Sequence, residues 1–151
     1  MYRGVSGINI DVKGRIVVPS RFRASLMGDN TCVVLTIDTD EKCLLLYPLV
    51  IWEEIEAKLA ALPAFDPQSR RIQRLLMGHA TETDLDSHGR ILLPPLLREY
   101  AGLDKKVVMV GQGKKFELWD DAHWHQRRTE WLDEESSSTV DLPEEMKSLS
   151  L

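Results

Sequence analysis

The 151-residue chain contains one stretch of sequence twice. Aligned so that Asp11 meets Asp86, Asp11-Val12-Lys13-Gly14-Arg15-Ile16-Val17-Val18-Pro19 falls on Asp86-Ser87-His88-Gly89-Arg90-Ile91-Leu92-Leu93-Pro94, and Arg23 falls on Arg98. A short deletion in the second copy then brings Tyr47 onto Trp119 and Trp52 onto Trp124. Such agreement marks an internal duplication of a unit of roughly fifty residues. A unit that small buries little apolar surface alone, so the two copies should pack on each other.

Each copy reads alike. Ile8, Ile10 and Val12 alternate with polar residues, the pattern of a half-buried strand, and Lys13-Gly14 places a glycine where a tight hairpin needs positive φ. Ile16-Val17-Val18 is the expected return strand, stopped by Pro19. Ser20 can cap a short helix carrying Phe22 and Leu26, with Gly28 at the position of a left-handed C-terminal cap. In the second copy Pro95 takes the first helical position and Gly102 the last. Strands at 33–37 and 43–47, joined by a polar turn, have counterparts at 107–110 and 116–119 around Gly111-Gln112-Gly113.

Between the copies Trp52, Ile55, Leu59 and Leu62 share one helix face. Asp66-Pro67 opens a second helix, with Ile72, Leu75 and Leu76 apolar and Arg70, Arg71 and Arg74 charged; the arginines read as a solvated face or a subunit contact, with a second DNA track as the alternative. Trp124 and Trp131 imply a helix after the second copy. Residues 133–139 read as a mobile, acidic and serine-rich segment, ahead of a last helical turn using Leu142, Met146 and Leu149. The expected class is α+β and β-rich, with a first domain at 5–52, linking helices at 53–80, a second domain at 81–124, and a C-terminal helix with acidic tail at 125–151.

A hydrophobic fraction of 43% with 28% charge is that of an ordinary globular chain. The start MYRGVSGINIDVKGR has no apolar run of the signal-peptide kind, and no stretch is apolar enough to cross a bilayer, so a cytoplasmic protein with no membrane partner is expected. Cys32 and Cys43 lie in apolar strands without metal-site spacing and read as buried free thiols. The net charge of -5 taken alone argues against nucleic acid. Its distribution says otherwise: Arg3, Lys13, Arg15, Arg21 and Arg23 face only Asp11 in the first 28 residues, whereas acids dominate from Glu117 onward.

A strand, the Asp-x-x-Gly-Arg turn, a short aliphatic strand ending in Pro and a short helix carrying Arg resemble the swapped-hairpin half of AbrB-type bacterial DNA-binding proteins. The doubling of that half, the opening Met1-Tyr2-Arg3-Gly4 and the linking Arg70-Arg71-Ile72-Gln73-Arg74 resemble the MraZ family. That resemblance spans nearly the whole chain. It implies two pseudo-symmetric, interlocked half-barrels with peripheral helices, assembly into a ring-like homo-oligomer, and binding to repeated promoter boxes on double-stranded DNA. It further implies a nucleoid-associated repressor of the division and cell-wall gene cluster, including its own gene.

The chemistry of the turn agrees. A two-stranded ribbon fits the major groove, where an Arg can donate two parallel hydrogen bonds to guanine. Arg15 is the candidate for that role, with Lys13 suited to phosphate and Arg3 and Arg21 extending the basic track. Asp11 would orient Arg15, and Gly14 would permit the turn; Asp86, Gly89 and Arg90 repeat the set. The alternative is that Asp11–Arg15 and Asp86–Arg90 are only ion pairs bracing a hairpin. Because His88 replaces Lys13 and Leu96 replaces Arg21, the first copy is expected to supply most DNA contact.

Other signals are weaker. His123-x-His125 does not put two ligands on one helix face, so no metal or cofactor is expected. His79 could cap the carbonyls of the linker helix. Gly111-x-Gly113-Lys114-Lys115 lacks the spacing of a phosphate loop, and no nucleophile–base constellation suggests an enzyme. A protein-binding, antitoxin-like scaffold and a metal-dependent hydrolase remain the competing classes. Salt-dependent binding to upstream DNA discriminates against the scaffold, and sensitivity to a chelator would be needed to favour the hydrolase.

Overall fold

The computed structural model describes residues 1–137 and 142–150. A first unit, residues 1–121, carries both repeats. In the first repeat β1 (Val5–Asn9), β2 (Arg15–Val17), α1 (Ser20–Met27), β3 (Cys32–Ile37) and β4 (Leu44–Pro48) follow in order. The linker forms α2 (Leu49–Ala60) and α3 (Pro67–Leu76). The second repeat gives β5 (Thr81–Asp84), β6 (Arg90–Leu92), α4 (Pro95–Ala101), β7 (Lys106–Gln112) and β8 (Lys115–Asp120).

The repeats are joined by exchange. β1 pairs antiparallel with β7 of the other repeat, β5 pairs with β3, and β4 with β8, giving one sheet in the order β1-β7-β8-β4-β3-β5. The expected return strand β2 is therefore not the partner of β1. It pairs with β6, so that a separate two-stranded ribbon takes one strand from each repeat. Ile16 and Ile91 face each other across that ribbon, both fully buried in a shared core with Val18, Leu93, Leu26 and Leu97. Truncating either to Ala should cost about 2–5 kcal/mol. The architecture is α+β, a duplicated half-barrel whose halves complete each other's sheets.

Local expectations fail in instructive places. The strand ends at Asn9, and Val12, expected half-buried, is fully exposed, because the Asp11 side chain captures the amides of Lys13 and Arg15 and turns the chain. Ser20 does not cap α1; extended Pro19 holds the cap position and its carbonyl accepts from the Phe22 amide. Gly102 is left-handed, but Gly28 has φ 54 with ψ -126 and so lies outside the left-handed helical well.

The outer face of β3 and β4 is covered by the linker helices. Val34, Leu45 and Tyr47 pack with Trp52 and Leu59, and Ile55, Leu62 and Ile72 border this second cluster. Asp66 caps α3 by accepting from the Ser69 amide at 3.1 Å, and His79 Nδ1 lies 2.6 Å from the Leu75 carbonyl, the expected cap. Cys32 and Cys43 are buried free thiols.

The second unit comprises residues 122–151. It holds nearly all of α5 (Asp121–Ser137), in which Trp124 and Trp131 meet edge to face at 6.0 Å, and the short α6 (Glu144–Lys147). The segment 133–137, expected to be mobile, continues α5: Ser136 and Ser137 return their hydroxyls to the carbonyls of Leu132 and Asp133, and no Gly or Pro interrupts. Ser138 and Thr139, the rest of that expectation, lie outside the described residues.

Candidate nucleic-acid interface

Both repeated turns are built by an aspartate. Asp11 Oδ1 accepts from the amides of Lys13 and Arg15, each at 2.9 Å, while Oδ2 accepts from Arg15 Nε at 2.8 Å. Asp86 does the same with the amides of His88 and Arg90 and with Arg90 Nε, at identical distances. Gly14 and Gly89 adopt φ of +83° and +77°, which close the turns. The Arg90 amide, then its side chain and the His88 amide, hold the Asp86 carboxyl down at about 2; the same donors from Arg15 and Lys13 lower Asp11. These carboxylates are thus ionised acceptors that orient the two guanidinium groups.

The ion pair exists in both copies, and its geometry leaves chemistry to spare. It uses Nε alone; among the described residues neither terminal nitrogen of Arg15 or Arg90 bonds to protein, and the side chains remain 27% and 30% exposed. Strand exchange then places them together. In the β2–β6 register Arg15 lies opposite Leu92 and Val17 opposite Arg90, while the Ile16–Ile91 pair between them points inward. Side chains alternate across a strand, so Arg15, Val17, Arg90 and Leu92 share the outer face, with the two arginines diagonal to one another.

The remaining candidates are not all gathered here. Lys13 is exposed at the first turn and His88 at the second. Arg3 lies at the far end of β1, where Tyr2 bridges Gly113, on the order of 25 Å of strand from Asp11. Arg21 is tied to β1 through Ser6 Oγ at 2.9 Å and stacks over Phe22 at 4.5 Å. It stands on α1, the helix that reaches the second turn and not the first, because β2 runs antiparallel to β6 and delivers α1 beside Gly89.

The exchange also brings in cations that sequence reasoning missed. Lys105, Lys106 and Arg98 of the second repeat line a groove with Asn9, Ile10, Asp11 and Val12, opposed by Asp104, and Ile10 donates its amide to the Lys105 carbonyl. Arg23 of the first repeat lies against Gly89. Lys105 and Lys106 carried no signal in the sequence; Arg23 counted toward the basic first copy and falls on Arg98 in the repeat, but nothing there assigned either arginine to a turn. Arg70, Arg71 and Arg74 lie exposed on α3.

Asp38, Cys43 and Glu117 form a separate cluster, with donor atoms within 4.8 Å of one another. Burial pushes the Cys43 thiol and the Glu117 carboxyl up, and Cys43 Sγ lies 3.8 Å from Asp38 Oδ2. Burial likewise pushes Tyr47 to about 12. No described helix is long and apolar enough to cross a membrane.

Fold and site together define a class: a duplicated, strand-exchanged half-barrel presenting two aspartate-oriented arginines on one ribbon. The model of the MraZ protein family, described as antitoxin-like, matches residues 1–75 and again 76–143. Proteins named transcriptional regulator MraZ from Coxiella burnetii (strain Dugway 5J108-111), Halorhodospira halophila and Legionella pneumophila (strain Corby) are 55%, 53% and 53% identical over 152 aligned positions, with 100% of each chain covered. The chain belongs to the MraZ family.

Proposed function

We propose that this chain is a sequence-specific DNA-binding transcriptional regulator that reads the major groove with the outer face of its β2–β6 ribbon. Arg15 and Arg90 address guanines through their terminal nitrogens, and Asp11 and Asp86 hold them in position. Lys13, with Lys105 and Lys106 of the groove along Asp11 and Val12, contacts phosphate; Arg21 serves the second turn, and Arg3 a more distant part of the backbone. His88 makes the second turn the weaker of the two. The observation that carries this reading is the register that sets both oriented arginines on one exposed face.

The relatives bear a regulator's name, and the resemblance extends the proposal. The chain acts in the cytoplasm, on the nucleoid, as a repressor of the division and cell-wall gene cluster that includes its own gene. Several copies in a ring engage repeated boxes, which makes later contacts effectively intramolecular and raises affinity roughly a hundredfold or more. The second unit is acidic, so the negative total charge does not describe the ribbon.

A gel-shift titration on the region upstream of the chain's own gene tests the reading. Binding should weaken steeply as salt rises, and Arg15→Ala should weaken the specific shift roughly tenfold to a hundredfold. Equal affinity for unrelated DNA, or an unchanged shift with Arg15→Ala, would count against it.

A further inference from the structure

Each turn is backed by an arginine from the other repeat. A Cβ built on Gly14 would lie 2.9 Å from Arg98 Cζ, and one on Gly89 would lie 2.1 Å from Arg23 Cζ. The guanidinium planes therefore lie directly against the glycine backbones, in the space any side chain would fill. The main chain is crossed in the same sense: the Leu93 amide donates to the Gly14 carbonyl at 2.9 Å, and the Val18 amide to the Gly89 carbonyl at 2.8 Å. Arg23 is itself fixed by donating Nε to the Val18 carbonyl at 2.8 Å, whereas Arg98 Nε is buried without an acceptor. A guanidinium held against a turn through contact more than through hydrogen bonds transmits position, and its planarity and charge matter together.

We propose that Arg98 and Arg23 are positioning residues for DNA reading, each setting the turn of the opposite repeat: Arg98 acts on Arg15 through Gly14, and Arg23 acts on Arg90 through Gly89. This rests on the DNA-binding function proposed above. It also makes the recognition surface depend on both repeats, since each turn is built by its own aspartate but backed by an arginine from the other repeat. Glycine is favoured at positions 14 and 89 by the positive φ, and a Cβ at either would also have to displace the arginine side chain lying against it.

Double-mutant cycles on a labelled duplex from the chain's own upstream region separate this from a general role in stability. Arg98→Ala should weaken binding about tenfold in the presence of Arg15 and have little further effect in Arg15→Ala. The same should hold for Arg23→Ala with Arg90→Ala, while the within-repeat pairs, Arg23 with Arg15 and Arg98 with Arg90, should be additive. Arg98→Lys should not restore affinity, and the salt dependence should keep its wild-type slope. Where Arg98→Ala does not fold, Arg98→Gln replaces it. Additive crossed pairs, full rescue by lysine, or a shallower salt slope would overturn the proposal, the last because it would mean that Arg98 touches phosphate itself. Unchanged binding by Arg15→Ala would remove the DNA reading along with it; loss in Arg15→Ala with additive crossed pairs would remove the positioning role alone.

Discussion

The two turns are alike in geometry and unlike in charge. Asp11 and Asp86 make the same three hydrogen bonds at the same distances, and Arg15 and Arg90 are exposed to nearly the same degree. Around them the residues diverge, with Lys13 and Val12 at one tip facing His88 and Ser87 at the other. Geometry is kept where a backbone must turn, and charge is free to differ where only a ligand would notice. Strand exchange then redistributes the cations: the first turn gains Lys105 and Lys106 from the second repeat, and the second gains α1 from the first.

Charge reversal separates the turns most strongly. Arg15→Glu should weaken specific binding at least about a hundredfold, with Arg90→Glu costing less, since one bidentate guanine contact is worth about 1–3 kcal/mol and the reversed charge adds repulsion. Equal losses, measured by fluorescence anisotropy at fixed salt, would erase the proposed inequality. Next come the glycines. Gly89→Ala should destabilise by about 2 kcal/mol and Gly14→Ala by somewhat less, because both have positive φ and the closer arginine lies at Gly89. Thermal unfolding that ranks them the other way would break the assignment of Arg23 as the tighter brace.

Smaller effects sharpen the comparison further. Lys13→Ala should lower the slope of log affinity against log salt by about 1, and His88→Ala should change it less. Equal changes would show that the tips are electrostatically equivalent. The aspartates supply the smallest effect. Asp86 has its folded pKa lowered to about 2, so its contribution to stability is full above the unfolded value and fades as pH falls from about 4 towards 2. Asp86→Asn should therefore flatten the acid limb of a stability-against-pH curve, and Asp11→Asn should act in the same direction. A parallel curve would mean that the turn gains nothing from the ionised form.

How far the sequence reveals this depends on whether a feature is local. The turns are legible because glycine and aspartate act on their own neighbours, and the helices after Pro95 and Asp66 start where those residues demand. The inward direction of Ile16 and Ile91 follows from alternation. Their partnership does not: a three-residue strand between a turn and a proline can pair with either neighbour, and only the packing of the whole duplicated core decides for β2 with β6. The same gap hid the contacts of Arg98 and Arg23. Periodicity marks them as equivalent, but which turn each touches is settled by the exchange. Arg21 shows the cost of assuming otherwise, since a residue of the first repeat stands on the helix that serves the second turn.

Arg15 and Arg90 are proposed to act from one ribbon face on one duplex. Anisotropy titration of the wild type, Arg15→Ala, Arg90→Ala and the double variant against the chain's own upstream duplex tests this most directly, with melting temperature monitored in parallel. The expected result is a loss for each single variant, larger for Arg15→Ala, and only non-specific, salt-sensitive binding for the double variant. A folded double variant that binds the duplex as tightly as the wild type would contradict it.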